Sequence, residues 1–218
     1  MQAKAYKGMG MEGSIAKWYD KNTRKDLPEF KALARGIAGG LPAASAVLEV
    51  APGPGFFSIE LAKLGKYQIT GLDISNTFVD IARKNAESEG VSVDFQQGNV
   101  SAMPFSANAF DFILCRAAFK NFSAPVAALQ EMRRVLKPGG RAVIIDLRKD
   151  ASKQAIDAYI QKLGVSAWDA FIMKWTFRLM LLRRAYTRPQ FEQFVAQSRF
   201  AKSSITEDLI GFEATLTK

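Results

Sequence analysis

The chain has 218 residues; 48% are hydrophobic, 30 are Lys or Arg and 21 are Asp or Glu, giving a formal net charge of +9. That length suits one domain with a modest insertion, and that apolar content supports a sizeable core. No apolar run approaches the ~18 residues of a membrane span, the polar, Gly-rich start lacks a signal peptide's apolar stretch, and one cysteine excludes an internal disulfide. A cytoplasmic protein is therefore expected. The lack of histidine removes imidazole bases and, with a single cysteine, argues against any metal site. The basic balance is compatible with nucleic acid, an anionic membrane or acidic metabolites, and equally with a solvated surface. Cys115 lies in an apolar strand pattern and reads as buried filler.

In chain order, residues 1–45 read as a helical cover: one helical patch at Ser14–Asp20, a second from Leu27 to Ile37 with Asp26 as N-cap and Gly39-Gly40 as stop. Ala46–Val50 is a short β-branched run, read as a buried strand. It enters a turn, Ala51-Pro52-Gly53-Pro54-Gly55, and then a helical pattern. A second strand ends at Asp73. Ser75 caps a helix that stops at Gly90. Val91–Phe95 alternates as a strand should, Gly98–Phe105 is a loop, and Ala109–Arg116 is an apolar, central strand. Ala124–Leu136 is helical, Lys137-Pro138-Gly139-Gly140 terminates it, and Arg141–Leu147 is the fifth strand. Residues 151–186 form a helical, lid-like insertion, amphipathic over Ser152–Leu163 and apolar over Ala167–Leu182. A capping box at Thr187–Gln190 opens a last helix. Lys202–Glu207 and Leu209–Thr217 form a final antiparallel pair.

Strands alternating with helices predict an α/β fold: a doubly wound, mostly parallel seven-stranded sheet with an antiparallel last strand and helices on both faces, spanning residues 46–218. In such sheets ligands bind outside the carboxyl ends of the strands. The strand, glycine turn and helix around Gly53 and Gly55 present backbone N–H groups, and Asp73, at the next strand end, suits a ribose diol. These point to a nucleoside-containing cofactor. The third glycine of a dinucleotide fingerprint is replaced by Ser58, and no Gly-Lys-Ser/Thr follows for a triphosphate.

Glu49-x-Ala51-x-Gly53-x-Gly55, Gly71-Leu72-Asp73-Ile74-Ser75, Gly98-Asn99-Val100 with Pro104-Phe105, Phe110-Asp111-Phe112-Ile113 and Leu136-Lys137-Pro138-Gly139-Gly140 stand in order. Together they resemble class I S-adenosylmethionine-dependent methyltransferases of the small-molecule type. The resemblance implies S-adenosyl-L-methionine as cofactor. Glu49 would face its methionine amino group, Ala51, Gly53 and Gly55 would form the close-approach turn, and Asp73 and Ser75 would serve the ribose. Ile74 would pack on adenine, and Gly98, Asn99 and Val100 would contact its edge, with Asn99 standing where the family usually has aspartate. Arg116 and Ala117 would border the methionine end, and Tyr19, in a Trp18-Tyr19-Asp20 patch, would close over the cofactor.

For the acceptor, Lys120-Asn121 resembles the Arg-Asn pair of ubiquinone and menaquinone biosynthesis C-methyltransferases. It offers Lys120 for an anionic acceptor, against a plain surface lysine. Tyr19, Asp146 and Tyr186 are the candidate bases. The apolar insertion, with Lys174, Arg178, Arg183 and Arg184, reads as a helix capping the sheet or as a lid over an apolar acceptor near a membrane face. The reaction expected is methyl transfer to a hydrophobic or aromatic small molecule at O, S or C. RNA or protein methylation, or cofactor binding without catalysis, are the alternatives. No Asn-Pro-Pro-Tyr-like tetrapeptide follows the fourth strand, where Arg116-Ala117-Ala118-Phe119 stands instead, and this argues against nucleic acid.

Overall fold

In the computed structural model, residues 6–7, 10–177 and 181–218 are described. Arg178, Leu179 and Met180 of the apolar segment lie outside the described residues. The helices are α1 (Gly13–Thr23), α2 (Leu27–Ala38), α3 (Phe56–Ala62), α4 (Asn76–Ser88), α5 (Pro125–Val135), α6 (Lys153–Lys162), α7 (Ala167–Thr176), α8 (Leu182–Arg184) and α9 (Arg188–Ser198). The strands are β1 (Ala46–Val50), β2 (Gln68–Asp73), β3 (Asp94–Gln97), β4 (Phe110–Arg116), β5 (Leu136–Leu147), β6 (Lys202–Glu207) and β7 (Gly211–Thr217). They form one sheet in the order β3-β2-β1-β4-β5-β7-β6. The first five are parallel, and β7 runs antiparallel to both β5 and β6.

Strand β1 shows why the chain winds on both faces. Its neighbours β2 and β4 occupy both edges, so its side chains alternate into two cores. Leu48 and Val50 join Ile113, Cys115, Leu129, Met132 and Ile144 on one side. Val47 joins Phe57 and Leu61 of α3 and Ala34 of α2 on the other. Burying a side chain such as Phe57 contributes roughly 1.5–3 kcal/mol. The insertion has its own cluster, in which Ile156 and Ile160 of α6 meet Phe177, Leu182 and Ile210.

Local signals place most elements. Ser75 Oγ accepts from Phe78 N at 3.1 Å, starting α4, and Thr187 with Gln190 makes the full capping box of α9. Three expectations are corrected. Asp26 gives α2 no side-chain cap; a 3-10 turn over Arg24–Asp26 leads straight into it. β3 begins at Asp94 rather than Val91, because Val91 and Val93 pack on the α3–α4 cluster instead of pairing in the sheet. Lys137–Gly140 lies within β5 rather than ahead of it, as a register shift opposite Phe110–Phe112. A Cβ on Gly140 would come 2.9 Å from the Lys137 carbonyl oxygen and 3.0 Å from that of Asp111, so the bulge requires glycine. Lys137 and the backbone of Ala46 both reach Asp111 Oδ2, at 2.7 and 2.8 Å, tying β5, β4 and β1 together.

Candidate functional site

The turn after β1 is built around two buried carboxylates. Asp73, at the end of β2, accepts from Gly53 N (3.0 Å) at Oδ2 and from Ser75 N (2.9 Å) at Oδ1. It thereby clamps the β1–α3 turn to the start of α4. Glu49 Oε2 accepts from the backbone N (3.1 Å) and hydroxyl (2.5 Å) of Ser58 in α3. Burial pushes Glu49 up to about 7 against the opposing Ser58 bonds, and Asp73 up to about 6 against the bonds from Ser75 and Gly53. The hydrogen bonds found at these two carboxylates all come from uncharged donors. Two buried acids held by neutral groups suit a ligand that brings a cationic amine to one and hydroxyl donors to the other.

The two glycines of the turn differ in role. Gly55 has φ +81° and a Cβ there would lie 2.6 Å from Phe95 Cζ, so packing alone demands glycine. Gly53 has φ +54°, and a Cβ there would meet only Tyr19 Cε1, at 3.9 Å. This is the less crowded part of the turn, facing α1. Ala51 also adopts a left-handed φ of +56°, and its N donates to the Leu72 carbonyl at 2.8 Å. Ile74, beside Asp73, is 39% exposed, an aliphatic surface at the strand end where a flat ring can lie. Gly98 N donates to the Asp73 carbonyl at 2.8 Å, and a Cβ on Gly98 would strike Leu72 Cδ1 at 2.7 Å. Asn99 Oδ1 accepts from Ser101 N at 2.9 Å, so this amide first closes its own loop, and Val100 is buried in the core below.

Helix α1 is pinned beside this turn. Tyr19 stacks edge-on against Phe78, with ring centroids 5.7 Å apart, and burial raises its phenol pKa. Asn85 of α4 donates to Asp20 Oδ1 (3.1 Å) and to the Pro54 carbonyl (2.9 Å), while Arg24 reaches Asn85 Oδ1 at 2.6 Å. Arg116 lies over the Phe30 ring at 4.6 Å and pairs with Glu29 at 3.2 Å, joining the end of β4 to α2.

On the acceptor side, the surface-lysine alternative for Lys120 is overturned. Lys120 is buried, and its Nζ sits 2.8 Å from Asp146 Oδ1 and 2.5 Å from the Ala117 carbonyl. Its backbone N donates to Asp146 Oδ2 at 2.8 Å, and Leu147 N reaches Oδ1 at 2.7 Å. Lys120 and Asp146, read separately from sequence as anion stabiliser and base, are thus one ion pair. It fastens the loop after β4 to the end of β5, and Ala117 turns within it at φ +58°. Tyr186 donates to the Phe122 carbonyl at 3.4 Å and lies under Lys7 Nζ, which also meets its hydroxyl. Cys115 is fully buried and burial pushes its thiol well up, which fits filler rather than nucleophile.

Sequence reading missed the segment before α1. Tyr6 bridges Phe122, and Lys7 N donates to the Asn121 carbonyl at 2.7 Å. Further along, the Met11 carbonyl accepts from Ser75 Oγ at 2.7 Å, and Glu12 accepts from Asn76 N and Thr77 N at 3.1 and 3.0 Å. The segment therefore touches the loops after both β4 and β2. Nothing local foretells this, since every contact joins residues more than sixty positions apart.

Residues 48–144 match the model of a family described as "Methyltransferase domain". The match covers less than half of the chain and lies in the part that holds the Gly53 turn. The demethylmenaquinone methyltransferase of Deinococcus radiodurans is 37% identical over 107 residues, 49% of this chain and 44% of that protein. The ubiquinone/menaquinone biosynthesis C-methyltransferase UbiE of Marinomonas sp. is 31% identical over 126 residues, 56% of this chain and 50% of that one. The matches thus span about half the length of these curated relatives. Among solved structures, a putative S-adenosyl-L-methionine-dependent methyltransferase of Methanococcus maripaludis aligns over 99% of this chain and 97% of its own, with TM-score 0.74 and 24% identity. The matched residues run from within β1 to within β5, so the Gly53 turn, Asp73 and the Gly98–Val100 loop all lie inside the match.

Proposed function

We propose that the protein binds S-adenosylmethionine at the Gly53 turn and transfers its methyl group to an aromatic, apolar small molecule. The observation that carries this is the pair of buried carboxylates, Glu49 and Asp73, on adjacent parallel strands around the open face of Gly53. When bound, the cofactor supplies an electrophilic methyl group on a sulfonium. The chain's own residues bind, orient and exclude water. Glu49 receives the methionine amine, and Asp73 receives the ribose hydroxyls while keeping Gly53 in place. Ile74 supports the adenine, and the Gly98–Val100 loop borders its edge. Tyr19 closes the site from α1.

The region 1–45 acts as a cover and 151–186 as a lid over the acceptor side. The Lys120–Asp146 pair positions the loop Arg116–Phe122, which borders both ligands. A small-molecule acceptor is favoured over RNA or protein because the curated relatives are named for demethylmenaquinone and for C-methylation in ubiquinone/menaquinone biosynthesis. Among the described residues no helix is long and apolar enough to cross a membrane. The test is transfer of label from methyl-labelled cofactor to a panel of quinols, phenols, thiols and amines. Labelled quinol or phenol is the expected product. Labelling of RNA or protein alone, or cofactor binding with no acceptor labelled, contradicts the proposal.

A further inference from the structure

Helix α7 is apolar on two sides. One side, Ala170 and Met173, packs with Phe177 against the insertion's cluster of Ile156, Ile160, Leu182 and Ile210. The other presents Trp168, Phe171, Ile172 and Trp175 to solvent, 70%, 63%, 45% and 57% exposed. Their spacing of three, four and seven residues sets them on one stripe, and the Trp168 and Phe171 rings stack with centroids 6.1 Å apart. A contiguous exposed aromatic stripe of this kind marks an interaction surface.

The insertion that carries the stripe is basic. Residues 149–184 hold seven Lys or Arg against three Asp. Lys153 and Lys174 share one shallow depression beside Ile156, and Lys149, Lys153 and Arg183 share the adjoining one. All three acids are engaged locally: Asp150 pairs with Arg148 at 3.9 Å, Asp157 pairs with Lys174 at 2.9 Å, and Asp169 accepts from the Ser166 hydroxyl at 2.7 Å. An exposed aromatic stripe carried on a basic insertion is what interfacial docking needs. A second copy docked through the same face would set basic rim against basic rim.

We propose that this face of α7 docks on an anionic lipid bilayer. Trp168, Phe171, Ile172 and Trp175 enter the headgroup boundary, and Lys153, Lys174 and Arg183 meet acidic headgroups. The insertion leaves the sheet at the end of β5, next to Asp146, so docking brings the acceptor side of the candidate site to a membrane-dissolved acceptor. The proposal stands apart from the methyl-transfer reading, because vesicle binding needs no cofactor.

The test uses the full chain carrying Trp18→Phe, which leaves Trp168 and Trp175 as its tryptophans. It is mixed with vesicles of phosphatidylcholine, with and without phosphatidylglycerol. The expected result is co-sedimentation with the phosphatidylglycerol vesicles, a blue-shifted emission, and quenching by brominated acyl chains. Binding should fall at least tenfold in Phe171→Glu/Trp175→Glu and at high salt, with the circular dichroism spectrum unchanged. No binding to anionic vesicles, equal binding by the double variant, or tryptophan burial in a concentration-dependent dimer without lipid would overturn the proposal.

Discussion

Two side chains carry the cofactor reading, and both are costly to bury. Glu49 is protonated in the free protein below about 7, whereas a bound ammonium group requires the carboxylate. The affinity for S-adenosylhomocysteine should therefore weaken as pH falls below that value, by up to about tenfold per pH unit. Calorimetric titrations at pH 8 and pH 6 check this. Glu49→Gln should bind more weakly and lose most of the pH dependence, leaving the smaller part that Asp73 contributes near pH 6, and a wild-type affinity that is flat with pH contradicts the assignment. The sign for folding is consistent. The folded pKa is raised, so protonation favours the fold, and that contribution is present below the unfolded value of 4.5 and lost as pH rises through about 7. Lys120 makes a different prediction. Its ammonium neutralises the buried Asp146, so Lys120→Met should strand a carboxylate and cost about 3–5 kcal/mol of stability. Asp146→Leu added to it should recover part of that loss. Urea unfolding measures both, and an unchanged midpoint in the single variant contradicts the pairing.

At the level of elements, the β1–α3 turn separates packing from binding. Gly55→Ala would drive a Cβ into Phe95 at a left-handed φ, and Gly53→Ala meets only an ordinary contact with Tyr19 at 3.9 Å. The first should lose more stability, on the order of 1–3 kcal/mol of overpacking beyond the left-handed penalty of ~1–2 kcal/mol that both share. The second should lose mainly cofactor affinity. Equal thermal midpoints for the two variants would contradict this division. Most of these elements were legible because their signals are local: the apolar run of β1, the Ser75 cap and the α9 capping box each involve neighbouring residues. β3 slid by three residues because Val91 and Val93 had a helix cluster to pack on, and apolar alternation cannot tell that from a sheet face. The start of β5 was hidden by a bulge made of residues that also stop helices. The Lys120–Asp146 pair and the strap of Tyr6, Lys7, Met11 and Glu12 were illegible, since parallel pairing and chain crossing set them across long separations.

For the whole molecule, a seven-stranded sheet lines up five strand ends, with α1 and α2 preceding the sheet and α6, α7 and α8 following β5. The residues named for the cofactor come from the ends of β1, β2, β3 and β4 and from α1. Glu49, Asp73 and the open turn between them are central to the account. The most direct measurement is calorimetric titration of the full chain, and of Asp73→Ala, with S-adenosylmethionine. The account predicts one site per chain with micromolar affinity, weakened more than about tenfold in Asp73→Ala, as the loss of a buried charged hydrogen bond worth roughly 1.5–3 kcal/mol requires. No binding at millimolar cofactor, or an unchanged dissociation constant in Asp73→Ala, would contradict it.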